Sequence, residues 1–262
     1  MSDAQITAVI VTYNSGAEIG ECLASAAGYG IPAVVVDNGS QDQTLEVVRS
    51  STALLIANGE NRGFAAAVNQ GCSAARTSLV LLLNPDTVLI TDPRELAAEF
   101  ELDEVGAASG PLVNFDGSPQ AGFMVRRFPT ALTLAFEVLG LNRIWPSNRI
   151  NQQWRCMDLD LSQARDVEQP AGAYLMIRRS VWELLGGSTK AFTRCGLKMW
   201  ISVSGCGRRT IVSVLYPGPW QNTPEHTPSA RFQWSSGCFI GMVVYLGTRR
   251  NTVAPMRGNC FV

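Results

Sequence analysis

A chain of 262 residues, 46% of them hydrophobic, is long enough to bury one substantial core, with room for an appendage. A net charge of −1, with no arginine-rich stripe interleaved with aromatics in the first two-thirds, excludes an electrostatic footprint for nucleic acid, and no nucleic-acid partner is expected. The seven cysteines fall at irregular spacings without a Cys-x-x-Cys pair, which argues against a zinc site or a disulfide framework and for buried or incidental thiols.

The start, MSDAQITAVIVTYN, passes from polar residues straight into an Ile/Val run, without the basic stretch and cleavage site of a secretory signal. The apolar runs near 130–139 and 239–246 fall far short of the roughly 20 residues that cross a bilayer, so a cytoplasmic location is expected. In chain order, Ala8 to Thr12 (AVIVT) reads as a strand, Gly16 to Ala27 carries apolar residues at helical spacing, and Ala33 to Val36 (AVVV) is a second strand. Helices at Gln43 to Ser50 and Phe64 to Ala75 alternate with strands at Ala53 to Ala57 and Ser78 to Leu83. A parallel sheet covered on both faces satisfies this alternation, and in such sheets ligands sit beyond the carboxyl ends of the strands.

The residues at those ends are polar. They are Tyr13-Asn14-Ser15 after the first strand, Asp37-Asn38-Gly39-Ser40 with Asp42 after the second, Asn58-Gly59 and Asn61-Arg62-Gly63 after the third, and Asn84-Pro85-Asp86-Thr87 after the fourth. Turn and helix-cap chemistry explains any one of them, but consecutive strands ending in one polar cluster point to a ligand site.

The ordered motifs VTYN, VDNGSxD, NRGFAxAxNxG and NPDT, continued by QPAGAYLMIRRSVWELLGG, resemble the GT-A domain of family 2 glycosyltransferases over Ile6 to Gly187, and most closely the rhamnosyltransferase-like subgroup. The resemblance implies an α/β GT-A fold, a Rossmann-like, mostly parallel sheet flanked by helices, in a domain spanning 1–187. It implies that Asp37 binds the nucleobase, that Thr12, Tyr13 and Asn14 line the nucleoside pocket, and that Arg62 sits near the diphosphate. Asn38, Gly39, Asn61, Gly63, Asn69 and Asn84 complete the implied nucleotide-sugar site. A carboxylate can accept the imide N–H of uracil or thymine, and a guanidinium matches phosphate oxygens in a bidentate fork.

Asn84-Pro85-Asp86 stands at the place of the family's Asp-x-Asp motif with Asn for the first acid, which leaves Asp86 as the carboxylate ligand of Mg²⁺ or Mn²⁺. Such an ion would neutralise charge developing on the departing nucleoside diphosphate. Gly172 and Ala173, in the small-residue loop before the strand Tyr174 to Ile177, are the implied acceptor side, where glycine lets the backbone approach a sugar; an ordinary turn is the other reading. Trp145 and Trp154 are read as packing residues, with stacking on a sugar or lipid-linked acceptor as the alternative.

Something changes at Gly187. Up to that residue 12 Lys/Arg stand against 21 Asp/Glu; beyond it nine Lys/Arg meet the single acid Glu225. Four of the seven cysteines and the only histidine, His226, fall in the same stretch, which has no sustained helical or alternating pattern. Family members continue after the LGG with F-D-E-x-F and W-x-E-D-V-D-F, whose E-D supplies the general base. Here STKAFTRCGLKMWIS follows, and no acid occurs between Ser188 and Pro224.

The genetic code offers an explanation. Met199 and Trp200 each have one codon, so reading one nucleotide earlier forces Val and then Asp at their junctions with the next codons. The junctions around Leu197 and Lys198 allow Glu and Asp, which restores E-D-V-D, and a TCN codon for Ser202 permits Phe to follow. The same frame permits F-D-E-G-F from Gly187 and H-T-G-A-H-S beyond Trp220, both family-like. Loss of one nucleotide, or gain of two, near the Gly187 codon accounts for these features, and 188–262 is expected to be an out-of-frame tail with no domain of its own. A divergent genuine tail is the alternative.

The implied reaction is inverting, metal-assisted transfer of a sugar from a nucleoside-diphosphate donor, with deoxythymidine-diphosphate rhamnose as the donor by resemblance. The implied acceptor is a saccharide or lipid-linked saccharide in cell-surface polysaccharide synthesis, reached at the cytoplasmic face with peripheral membrane association. Without the base segment the chain as it stands is expected to be impaired. The alternatives are a nucleotide-sugar-binding protein without transferase activity and a nucleotidyltransferase; against the latter, Val11 to Gly16 holds one glycine where a phosphate loop needs several.

Overall fold

β-Branched residues crowd Ile6–Thr12, and this segment forms β1 near the middle of the principal sheet. The computed structural model describes residues 5–103, 105–114, 116–160, 164–187, 199–200, 212–215 and 242–243. After β1 come α1 (Ile19–Gly28), β2 (Ala33–Asp37), α2 (Thr44–Arg49), β3 (Leu54–Ala57), α3 (Phe64–Ala74) and β4 (Leu79–Leu83), the alternation read from the sequence. α1 begins at Ile19 rather than Gly16 because the amides of Ser15 and Gly16 donate to the Thr44 hydroxyl and the Asp42 carboxylate, which holds them in a loop.

The chain continues through α4 (Pro93–Ala97), β5 (Val105–Ser109), β6 (Val125–Arg126), α5 (Ala131–Val138), α6 (Leu141–Ile144), α7 (Arg149–Trp154), β7 (Arg165–Asp166), β8 (Gln169–Pro170), β9 (Tyr174–Arg178) and α8 (Arg179–Leu184). α4 starts on an Asp92 cap that accepts from the Arg94 amide, with Pro93 in its first turn, and α5 starts on Thr130, which accepts from the Thr133 amide. Beyond Gly187 the described segments are β10 (Met199–Trp200), β11 (Val212–Leu215) and β12 (Met242–Val243). The expected base segment from Ser188 to Lys198, and His226, lie outside the described residues.

The sheet order is β3-β2-β1-β4-β9-β5-β11-β7. The first four strands are parallel neighbours; β9 runs antiparallel between β4 and β5, β11 lies parallel to β5, and β7 closes that edge antiparallel. The carboxyl ends of β1 to β4 therefore share one edge with the start of β9, where Tyr174 pairs with Leu83.

Helices cover both faces of the sheet. Ile10, Leu81 and Met176 pack on one side with Ile19, Leu23 and Val48, whereas Val9, Val36 and Leu82 pack on the other with Ala67, Val68 and Trp182. Such alternation of buried residues is the two-sided burial of a doubly covered sheet. α3 lies close because its inner face is small: a Cβ on Gly71 would come within 2.3 Å of Val9 Cγ1.

Candidate active site

The loops after β1, β2 and β3 are stitched into one platform. The Asn14 amide donates to Ser40 Oγ at 2.8 Å, and Asn14 Oδ1 accepts from the Gln41 amide at 2.9 Å, with Asn14 itself in the left-handed region at φ 53°. Gly39, at φ 82°, lets the third loop close in, since a Cβ there would stand 3.2 Å from Glu60 Cα. Asn58 Nδ2 donates to Asn38 Oδ1 at 3.1 Å and to Gln70 Oε1 at 2.9 Å, while Gln70 Nε2 returns a bond to Asn58 Oδ1 at 3.0 Å. A ring of amides thus ties β2, β3 and α3 together beneath the edge.

Asp37 is fully buried, and its carboxylate is saturated by the chain itself. Oδ1 accepts from Thr12 Oγ1 at 2.9 Å and from Ser40 Oγ, while Oδ2 accepts from the amides of Gly39 at 3.0 Å and Ser40 at 2.9 Å. A carboxylate offers about four lone-pair positions, and all are taken. In this arrangement Asp37 and Thr12 fix the loop from Asn38 to Ser40. Tyr13, by contrast, is exposed beside them. Asp42 sits lower on the same platform, and its bond from the Thr44 hydroxyl is the main cause holding its carboxyl below the usual range.

At the third loop Asn61 Oδ1 accepts from the Gly63 amide at 2.9 Å, and Gly63 turns the chain at φ 83° into α3. Arg62 is exposed at this helix N-terminus, where free amides and the helix dipole favour a phosphate. Asn69, further along α3, meets the end of the described body, since a Cβ on Gly187 would come within 2.7 Å of Asn69 Oδ1.

The fourth loop is anchored elsewhere. The Asn84 amide donates to the Ala173 carbonyl at 3.0 Å, and the Asn84 carbonyl receives the Thr87 amide at 3.1 Å and lies 3.4 Å from Cys22 Sγ. This places Asn84 and the Gly172–Ala173 loop side by side. Gly172 and Ala173 are themselves buried, so in this arrangement they seat the Asn84 to Asp86 turn rather than line an open surface. Asp86 is solvent-accessible, and no other described residue donates to its carboxylate. Nearby protein nevertheless strips enough water to raise its pKa, and its charge in turn adds to the burial that lifts the Cys22 thiol to about 12.

Among the described residues no group of three or more His, Cys, Asp or Glu could hold a metal ion. A depression lined by Thr7, Pro32, Leu54 and Arg76 lies at the opposite, amino end of the strands and involves none of these groups. Gln70 is a site residue that strand-end reasoning did not single out, and Ser40 and Asn58, though in the strand-end cluster, were not among the residues carried over from the resemblance. Ser40 and Asn58 were legible because they follow strands, whereas Gln70 is one polar residue on an otherwise small, apolar helix face. Trp154 packs as expected, under the Arg126 guanidinium at 4.8 Å, but Trp145 is exposed, contrary to its reading as a packing residue.

Fold and site together define a doubly covered α/β ligand-binding protein with its site at the carboxyl edge of parallel strands. Residues 7–183 match Glycosyl transferase family 2, and the chain belongs to that family, with its GT-A fold. Similar solved structures include the mannosyltransferase PcManGT from Pyrobaculum calidifontis in complex with GDP-Man and Mn²⁺, at 21% identity over 83% of this chain and 58% of that one, with a TM-score of 0.48. S. aureus TarS 1-349 is 19% identical over 73% of this chain and 52% of its own, with a TM-score of 0.47. Glucosyl-3-phosphoglycerate synthase from Mycobacterium tuberculosis in complex with UDP is 15% identical over 68% and 58%, with a TM-score of 0.42. The chain thus spans between half and three-fifths of the length of each of these structures. No curated protein sequence matches it.

Proposed function

We propose that the body up to Gly187 binds a nucleoside-diphosphate sugar across the loops after β1 to β4, and that its family reaction is inverting transfer of that sugar to an acceptor hydroxyl. The contrast between two aspartates on one edge carries the reading. Asp37 is saturated and buried and holds the nucleoside-side loop, whereas Asp86 is open, accessible and reluctant to ionise, as suits a group awaiting a cation.

The donor set fits Mg²⁺ or Mn²⁺, hard cations that keep several waters and take one or two carboxylates plus substrate phosphates. Asp86 would hold the ion, and the donor's phosphates would supply further oxygen ligands. When bound, the ion supplies charge neutralisation at the departing diphosphate. Arg62 and the amides opening α3 add fixed positive charge on the same side. The rhamnosyltransferase-like motif set favours deoxythymidine-diphosphate rhamnose as donor and a saccharide or lipid-linked saccharide of a cell-surface polysaccharide as acceptor, met at the cytoplasmic face of the membrane.

Inverting transfer needs a group that takes the acceptor proton, a contribution of about 10²–10⁴ in rate. That group belongs to the segment following Gly187, which leaves the body beside Asn69 on α3 and carries no acid as far as Pro224. A one-nucleotide shift of frame near the Gly187 codon accounts for the loss, so the chain as it stands binds donor without transferring it. The test is calorimetry of the whole chain with uridine, thymidine and guanosine diphosphates, with and without Mn²⁺. A pyrimidine diphosphate is expected to bind in a metal-dependent way that Asp86→Ala abolishes. Equal affinity with and without metal would remove Asp86 from this role.

A further inference from the structure

The segment from α5 to α7 is built inside out. Thr133, Asn142, Asn148 and Asn151 are buried, at 5%, 7%, 2% and 3% exposure, while Val138, Ile144, Leu139 and Trp145 stand at 86%, 80%, 67% and 62%. The buried groups form a bonded interior: Asn148 Nδ2 donates to Asn142 Oδ1 at 3.1 Å and to the Trp145 carbonyl at 2.6 Å, Asn142 Nδ2 to Glu137 Oε2 at 2.8 Å, and Asn151 Nδ2 to the Pro146 carbonyl at 2.7 Å. Helices facing water show the reverse polarity, with the apolar stripe inward. Half of the large hydrophobics exposed among the described residues, seven of fourteen, fall between Leu132 and Trp145, a contiguity that marks an interaction surface.

Charge identifies the occupant. From Ala131 to Met157 the chain holds three arginines and one acid, Glu137, whereas the remainder of 1–187 holds nine Lys/Arg and 20 Asp/Glu. Arg143 and Arg149, both exposed, flank the apolar tip of α6. Apolar side chains with a tryptophan and a rim of arginine, on an otherwise acidic body, match the headgroup boundary of an anionic bilayer. A second copy is a poorer occupant, because two-fold pairing on this face gathers Arg143 and Arg149 of both copies into one interface. We propose that the outer surface of α5 and α6 docks on anionic lipid, with Leu132, Leu134, Val138, Leu139, Ile144 and Trp145 entering the interface. β6, which precedes this surface in the chain, pairs with β8 and so ties it to the body of the domain. The inference rests on the surface alone and stands apart from sugar transfer.

The test is co-sedimentation of the whole chain with phosphatidylglycerol or phosphatidylcholine vesicles. Partitioning is expected to favour the anionic vesicles by at least about tenfold and to fall by at least about tenfold in the double variant V138D/I144D. Its circular dichroism should be unchanged, since both positions are exposed. Leu54→Asp, similarly exposed on the far sheet edge, should leave partitioning unaltered. Brominated lipid should quench fluorescence that Trp145→Phe removes. No binding to phosphatidylglycerol overturns the proposal. So does binding that V138D/I144D leaves intact, which assigns it to the cationic stretch after Gly187, and so does loss of self-association as the only effect of that variant, which assigns the surface to a second copy.

Discussion

Substituting Asp37 separates a carboxylate that builds the site from one that reads the ligand. In Asp37→Ala four donors lose their acceptor at once: the hydroxyls of Thr12 and Ser40 and the amides of Gly39 and Ser40. Thr12 is fully buried, and stranding its hydroxyl costs about 1–3 kcal/mol. The other three donors sit on partly exposed residues where water replaces most of each bond, leaving about 0.5 kcal/mol apiece. The total of about 3.5 kcal/mol corresponds to a fall in Tm of about 7–14 °C at the roughly 2–4 °C per kcal/mol usual for this size.

Asp37→Asn should behave differently, because both hydroxyls can turn to accept from the new amide nitrogen while Oδ1 keeps the two backbone amides. Its cost is about 1 kcal/mol, the difference between charged and neutral acceptors. Thermal unfolding by circular dichroism, paired with nucleoside diphosphate titration, measures both effects. Equal destabilisation by Asn and Ala, or an unchanged Tm in Asp37→Ala, would refute the assignment. Retained stability in Asp37→Asn with nucleotide affinity lost more than about tenfold would show instead that the carboxylate reads the base directly.

Because desolvation holds the Asp86 pKa above the ordinary carboxylate value, the folded protein loses stability as pH rises through that raised range. A cation competing with the proton should therefore bind more tightly as pH climbs across the same window, and metal titrations in the presence of nucleoside diphosphate should show a slope that Asp86→Asn flattens. Gly71→Ala should cost about 1–3 kcal/mol by forcing α3 off Val9, whereas Gly28→Ala, with open space around it, should be neutral or slightly stabilising in urea unfolding. The shifted frame requires the codons of Leu197 and Lys198 both to end in G; sequencing the gene across Leu185 to Ser202 decides this, and any other base at either position breaks the E-D-V-D reading.

The alternating strands and helices up to Leu83 were legible because β-branched runs and helical spacing take turns there, and the site edge was legible because parallel strands must end together. What sequence could not convey was how the loops close on one another. Asp37 looks like a free ligand until Gly39 and Ser40 fold back onto it, and Gln70 gains a purpose only when α3 settles over β2 and meets Asn58. The region from Ala131 to Trp154 is the instructive failure. Trp145 reads as a packing residue, yet asparagines satisfy one another inside and leave it and its apolar neighbours outside. Hydrophobicity alone does not say which side of a helix the protein keeps for itself.

The central claim, that a donor-binding glycosyltransferase body has lost its base to a shifted frame, is tested most directly by restoring one nucleotide after the Gly187 codon. The repaired and present chains are then compared on one panel of nucleotide sugars and acceptors, reading released nucleoside diphosphate for transfer and calorimetry for binding. Both should bind the donor, and only the repaired chain should transfer sugar, by a margin of about 10²–10⁴. Transfer by the present chain at the repaired rate would contradict the account, because an acid outside the segment after Gly187 would then be serving as the base.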